Sequence, residues 1–356
     1  MSKRRGFAVG TLAVLAAGVL PSPGAASGRL TCLGHPLTKR GTLRRDRIVG
    51  TNHRDVIDTF SGKDKVNGRG GNDIICTGSG GDVVIGGPGN DRIDTFRGND
   101  VIAGDYLGST GKDGNDMIRG GPGKDLEVGD QYAPNGDAVG NGRDDIRAGK
   151  GHDVVVGDGY APGGSAVGRG RDHLDGGPAN DLVVGDGLGR SALGHGSDNV
   201  EGEAGADLLV GDADATGPGA TATGAATDHF FGDRGGDHVV GDSYAAAGNA
   251  LGAADDAGTG GRGRDVIVGD DAAGILASGF GGDDIFQGDR KADLLIGDNQ
   301  SLAPGAQTSG GGNDVLRGGQ AVDRFRAGIG RDSCQGGYGR DIDLSLPPCE
   351  LRASIP

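Results

Sequence analysis

The sequence predicts an all-β fold: a solenoid of stacked short parallel strands, with loop insertions along one edge. Three observations carry this prediction. Aspartate recurs at nine-residue steps, a glycine-rich stretch precedes each one, and an apolar residue stands two places after it. A fixed nine-residue period is the mark of a repeat architecture in which each unit buries its apolar face only against its neighbours.

Composition sets the bounds. Of 356 residues 79 are Gly, only 8 and 5 are Phe and Tyr, and Trp is absent. So few aromatics argue against two conventional cores, and the glycines lack the Gly-X-Y period of collagen. The net charge of −15 disfavours binding to nucleic acid, because the chain would repel phosphates.

The first element is an export signal over residues 1–26. Lys3, Arg4 and Arg5 precede the uncharged run Phe7 to Leu20, and the small residues of "PSPGAAS" suit cleavage near Ala26 or Ser27. Loss of these three cations takes the net charge from −15 to −18. "RRGF" also resembles a twin-arginine signal, although Ala8-Val9 depart from that pattern. The run is too short for a comfortable membrane span, so a soluble, secreted, extracellular chain without membrane insertion is expected. Residues 27–45 form an N-terminal cap. Cys32, Cys76, Cys334 and Cys349 suit an oxidising compartment and no zinc pattern, and the pairs Cys32–Cys76 and Cys334–Cys349 are favoured as end staples.

The repeat spans residues 46–344. Plain nonapeptides fill 46–104, where aspartates stand at 46, 55, 64, 73, 82, 91 and 100. From 105 to 313, steps of nine alternate with steps of 16 to 21, most often 19, which is one nonapeptide plus a ten-residue insertion. Plain nines return over 314–344, and 345–356 is a tail. Numbering each repeat so that the aspartate is sixth, the glycines before it permit a tight turn. The three residues after it form a strand whose middle side chain, the eighth, points inward. Val155, Val183, Leu209, Val239, Ile267 and Leu295 hold that place. Two repeats make one coil, with a turn on each edge. The apolar filling is thin, so the coil needs further stabilisation. Stacked carboxylates and turn carbonyls form oxygen cages suited to Ca²⁺, and ion uptake would then be coupled to folding.

"GRGGNDIIC", "GGPGNDRID", "GGPGKDLEV" and "GGYGRDIDL" resemble the RTX (haemolysin-type) calcium-binding repeat over most of the chain. The resemblance implies a parallel β-roll, multiple Ca²⁺ ions and secretion. RTX toxins and proteases carry their activity in separate domains and usually leave by an uncleaved C-terminal signal, and neither feature is read in this sequence.

The plain edge carries Asp82, Asp100, Asp125, Asp153, Asp181, Asp207, Asp237, Asp265, Asp293, Asp323 and Asp341, none preceded by an insertion. All are candidate Ca²⁺ ligands. Ala179, Lys291 and Ala321 stand where the fourth position wants Gly, which predicts weaker sites towards Asp293 and Asp323. The decorated edge carries Asp73 and Asp91, then Asp116, Asp144, Asp172, Asp198, Asp228, Asp256, Asp284 and Asp314 after insertions. The candidate ligands here are Asp73, Asp91, Asp116, Asp144, Asp172, Asp284 and Asp314, and Asp332 joins the set from the last plain nines. Each insertion opens with Gly-Asp, giving a further row at Asp105, Asp130, Asp158, Asp186, Asp212, Asp242, Asp270 and Asp298. Two readings of that row stand: metal ligands, or caps of the turn through Asx hydrogen bonds.

The insertions, such as "QYAPNGDAVGNG" and "GYAPGGSAVGRG", are rich in Ala, Gly and Pro, with Tyr106, Tyr132, Tyr160 and Tyr244. Stacked, they would form one continuous face, either a binding surface or spacer loops with Tyr as filler. Catalysis is not expected. His35, His53, His152, His173, His195, His229 and His238 are scattered, and the nucleophile, zinc-helix and phosphate-loop motifs are missing. Ice binding would need a Thr-x-Thr ladder, and only Thr221-Ala-Thr223 offers one. The expected function is that of a monomeric, secreted, calcium-loaded β-roll with a structural or binding role. The alternative is adhesin-like recognition of an extracellular polysaccharide or protein.

Overall fold

The computed structural model describes residues 30–107, 112–279, 281–304, 307–345 and 348–352. The export signal expected over 1–26 lies outside them. The chain divides into Met1–Leu30 and Thr31–Pro356, and the repeat architecture belongs to the second unit.

Among the described residues there is no helix, and every strand pairing is parallel apart from a small hairpin, Thr31–Cys32 with His35–Pro36. The strands after the plain-edge turns form a 13-stranded sheet running from Arg47–Val49 to Ile342–Asp343. Those after the decorated-edge turns form a 14-stranded sheet from Lys39–Arg40 to Glu350–Arg352. The predicted parallel β-roll is therefore present. Register holds throughout: Val155 pairs with Glu127 on one side and Val183 on the other, so equal repeat positions stack.

The eighth residues meet in a single core between the two sheets. Ile57, Val84, Ile93, Ile102, Ile118, Val155, Leu174, Val183 and Leu209 are all buried in it, as the two-residue period of a strand requires. Strands such as Val83–Ile85 bury only this middle residue.

Where the sequence suggested loops, the insertions form a third, 13-stranded parallel sheet. In coil after coil the chain runs out and back as two short strands, for example Ala213–Ala215 then Thr221–Thr223, and Ser243–Ala245 then Asn249–Leu251. Ala213, Ala215, Ala222, Ala245, Ala250, Ala273 and Ala277 pack together between the outgoing and returning strands. Alanine fills a layer too narrow for larger side chains. The third sheet also covers the outer face of the plain-edge sheet. Val128, Val156, Val184 and Val210, at the ninth position, are buried there against Leu188, with Tyr132, Tyr160 and Tyr244 packed on them. Tyr132 and Tyr160 stack at 5.3 Å between ring centroids and 8° between planes.

The disulfides are Cys32–Cys76 and Cys334–Cys349, the favoured pairs. Among the described residues no helix is long and apolar enough to cross a membrane.

Candidate metal centre

The turn aspartates have two oxygens with different duties. From Asp73 to Asp341, Oδ1 of each accepts the backbone N–H of the register aspartate one coil earlier, at 2.7–3.1 Å. These bonds tie coil to coil along both edges. Oδ2 is different: from Asp64 through Asp323 it is buried and has no hydrogen-bond partner. A sealed carboxylate oxygen without a partner is costly unless a proton or a cation meets it.

The space facing these oxygens is a cradle. A Cβ added to Gly68 would collide with Asp73 Oδ2 and with the carbonyl oxygen of Gly86, one coil on. The same pair of oxygens recurs at Gly157 (Asp172 and Gly185), Gly211 (Asp228 and Gly241) and Gly269 (Asp284 and Gly297). Carboxylate and carbonyl oxygens converging on one gap are the donor set of a hard cation.

Asp198, Asp228 and Asp256, outside the candidate ligands, have the same geometry as their neighbours. The register itself was the signal for them. The first turns differ. Asp46 Oδ2 accepts the amide and hydroxyl of Thr42 at 2.6 and 3.0 Å, and Asp55 Oδ2 those of Thr51 at 2.6 and 2.9 Å. Threonine at the second turn position thus satisfies the oxygen that is orphaned further along. Burial pushes the Asp55 carboxyl up, but the Thr51 and Thr38 hydrogen bonds and Lys39 outweigh it and hold it below the usual range.

The Gly-Asp row divides its two oxygens. Asp130 Oδ2 accepts the amides of Asn141 and Gly142 at 2.5 and 2.7 Å, capping the return of its insertion. Asp158 does the same for Arg169 and Gly170 at 2.5 and 2.6 Å. Yet the other oxygen of Asp105, Asp130, Asp186, Asp212, Asp242 and Asp270 is buried without a partner. Asp298 instead spends both oxygens, on the amides of Gly312 and Ile329. The row also meets the decorated-edge aspartates: Asp130, Asp144 and Asp158 bring carboxylate oxygens within 4.8 Å of one another, as do Asp158, Asp172 and Asp186. Asp113, which the repeat pattern does not mark, completes a third group with Asp105 and Asp130.

Without a counter-ion these groups hold their protons. Burial, with neighbouring carboxylates adding to it, pushes Asp91 up to about 8, Asp105 to about 9 and Asp284 to about 10. Asp144, Asp158 and Asp172 are raised well above the usual range for the same reasons.

The three irregular turns keep their shape under strain. Ala179, Lys291 and Ala321 adopt φ of 122°, 78° and 110°, the region that favours glycine. The Ala179 carbonyl still faces Gly205 beside Asp207 Oδ1, as the Gly98 carbonyl faces Gly123 beside Asp125 Oδ1. Ala179→Gly should therefore stabilise the roll by about 1 kcal/mol, read as a raised melting temperature.

No match is found among curated proteins. The family model described as the RTX calcium-binding nonapeptide repeat matches residues 40–75, 77–105, 110–126, 139–159, 166–187, 194–215, 278–301 and 308–343, more than half of the chain. With turn aspartates stacked in register on parallel coils, the chain belongs to the RTX calcium-binding nonapeptide repeat family.

Proposed function

We propose that this chain is a secreted, monomeric β-roll whose folding is driven by Ca²⁺ held along both turn edges, and that its role is structural. One observation carries the reading: the partnerless Oδ2 of successive register aspartates, which along the decorated edge from Asp73 to Asp314 faces a carbonyl of the next coil. Ca²⁺ takes six to eight oxygens and needs no fixed geometry, which suits carboxylates and turn carbonyls in a repeating row. The ligands are the register aspartates of both edges, with Asp105, Asp130, Asp158, Asp186, Asp212, Asp242 and Asp270 contributing at the mouth of each insertion. The two disulfides support an extracellular setting.

Far-UV circular dichroism of the chain during a CaCl₂ titration tests this. The β signal should grow as Ca²⁺ is added and fall in chelator. A signal indifferent to both would refute it.

Asp158→Ala separates ligand from cap. The orphaned Arg169 and Gly170 amides should cost about 1–3 kcal/mol, and bound Ca²⁺ per chain should drop. Unchanged Ca²⁺ uptake with lower stability would make Asp158 a cap alone.

The stacking of the insertions into one sheet, where separate loops were expected, favours a second reading. It offers a continuous face for an extracellular polysaccharide or protein. A glycan array probed with the Ca²⁺-loaded chain distinguishes adhesion from a purely structural role.

A further inference from the structure

One fully buried eighth residue carries a charge-bearing group into the core. Along the plain-edge sheet the eighth position is apolar and buried in the core at Val66, Val84, Ile102, Val155, Val183, Leu209, Val239, Ile267, Leu295 and Phe325. The coil between Ile102 and Val155 has Glu127 there instead. Glu127 is fully buried, and neither Oε1 nor Oε2 has a hydrogen-bond partner. A buried carboxylate without partners costs several kcal/mol in place of the valine or isoleucine the register accepts.

Its direction explains it. A Cβ added to Gly120 would collide with Glu127 Oε1, and would lie 2.9 Å from the Ala148 carbonyl oxygen and 3.0 Å from Asp125 Oδ2. The turn 120–125 thus has the same cradle as the other coils, a carbonyl of the next coil and a turn Oδ2, with a second carboxylate entering from the core side. Burial, with the neighbouring carboxyls of Asp125, Asp153, Asp100 and Asp181 adding to it, holds the Glu127 carboxyl well above its usual range.

We infer that Glu127, Asp125 and the Ala148 carbonyl form a divalent-cation site of their own kind, in which a core side chain supplies a ligand that the nonapeptide repeat does not encode. The inference rests on the calcium reading above. With two carboxylates on one ion, this site binds Ca²⁺ more tightly than the single-carboxylate cradles, because affinity rises with ligand charge count. It fills before the single-carboxylate cradles of the plain edge and fixes the register of the coils on either side.

Equilibrium dialysis against CaCl₂ on the full chain, Glu127→Leu and Glu127→Gln tests the site, together with melting in chelator. Leucine is the side chain the other coils accept, so Glu127→Leu should fold and melt higher in chelator near about pH 4.5, where the chelated roll is ordered. It should also lose the extra affinity of this site, leaving the Asp125 turn to bind at the level of the other single-carboxylate cradles. Glu127→Gln keeps the shape and one oxygen, and should retain that ion with weakened affinity. If both variants match the parent in the affinity of every ion, this site is overturned alone. If the parent itself takes up no Ca²⁺, the site falls together with the reading it rests on.

Discussion

In chelator, the β signal of the roll should be strong near about pH 4.5 and should be lost as the pH is raised to about 8. The sign follows from where the protons sit. In the folded chain burial raises Asp73, Asp100, Asp237 and Asp323 to about 6, Asp125, Asp207 and Asp265 to about 7, and Asp181, Asp293 and Asp314 to about 8. In the unfolded chain the same groups release their protons near the ordinary aspartate value of 3.8. Between those limits the folded state holds more protons, so stability falls with rising pH. The stabilising contribution is complete below the unfolded value and disappears as the pH passes through the folded ones. Ca²⁺ replaces the protons, so with Ca²⁺ present the roll should persist at about pH 8 and its uptake should release protons. Chelated chain as ordered at the upper pH as at the lower would contradict this.

The largest single-residue loss of stability is expected from Phe230→Ala. Position eight is Gly258 in one coil, which leaves the core without a side chain there. Phe230 in the coil before and Phe286 in the coil after fill the gap, with ring centroids 6.4 Å apart, and both are fully buried. A Cβ on Gly258 would lie 2.7 Å from the Cβ of Phe230, so the small residue is required where the large one stands. Alanine at 230 would put two nearly empty places in adjacent coils of a core one side chain thick. The cost should be about 3–5 kcal/mol, since little else can collapse into the cavity. Thermal and denaturant unfolding in saturating Ca²⁺ measure it. A loss below about 1 kcal/mol, no more than an ordinary conservative core change, would show that the rings do not fill that gap.

The spacing of aspartate made the roll, its two edges and the inward residues legible, because a strict period leaves few ways to stack, and the disulfide pairs followed from the cysteines' places near the two ends. The third sheet was not legible. Its insertions lack alternating large apolar residues, and its alanines resemble linker composition. The signal for it lay in the coil before it, where "DVVVGD", "DLVVGD" and "DHVVGD" carry an apolar ninth residue such as Val156, Val184 or Val240. A residue that should face outward is apolar because another layer covers it. The choice between ligand and cap for Asp158 and its row was also closed to the sequence, since a carboxylate has two oxygens and spacing says nothing of how they divide. Thr42 and Thr51 could have been read as self-capping turns from their place two before the fourth position, where the next five plain turns have Phe, Arg or Gly.

The central claim is that the stacked turn oxygens hold Ca²⁺. Counting bound Ca²⁺ per chain by equilibrium dialysis, on the same samples whose β signal is recorded, tests it most directly. Many ions per chain should bind, one for most turns between Asp64 and Asp323, with order and occupancy rising together. A fully ordered chain that binds none would contradict it.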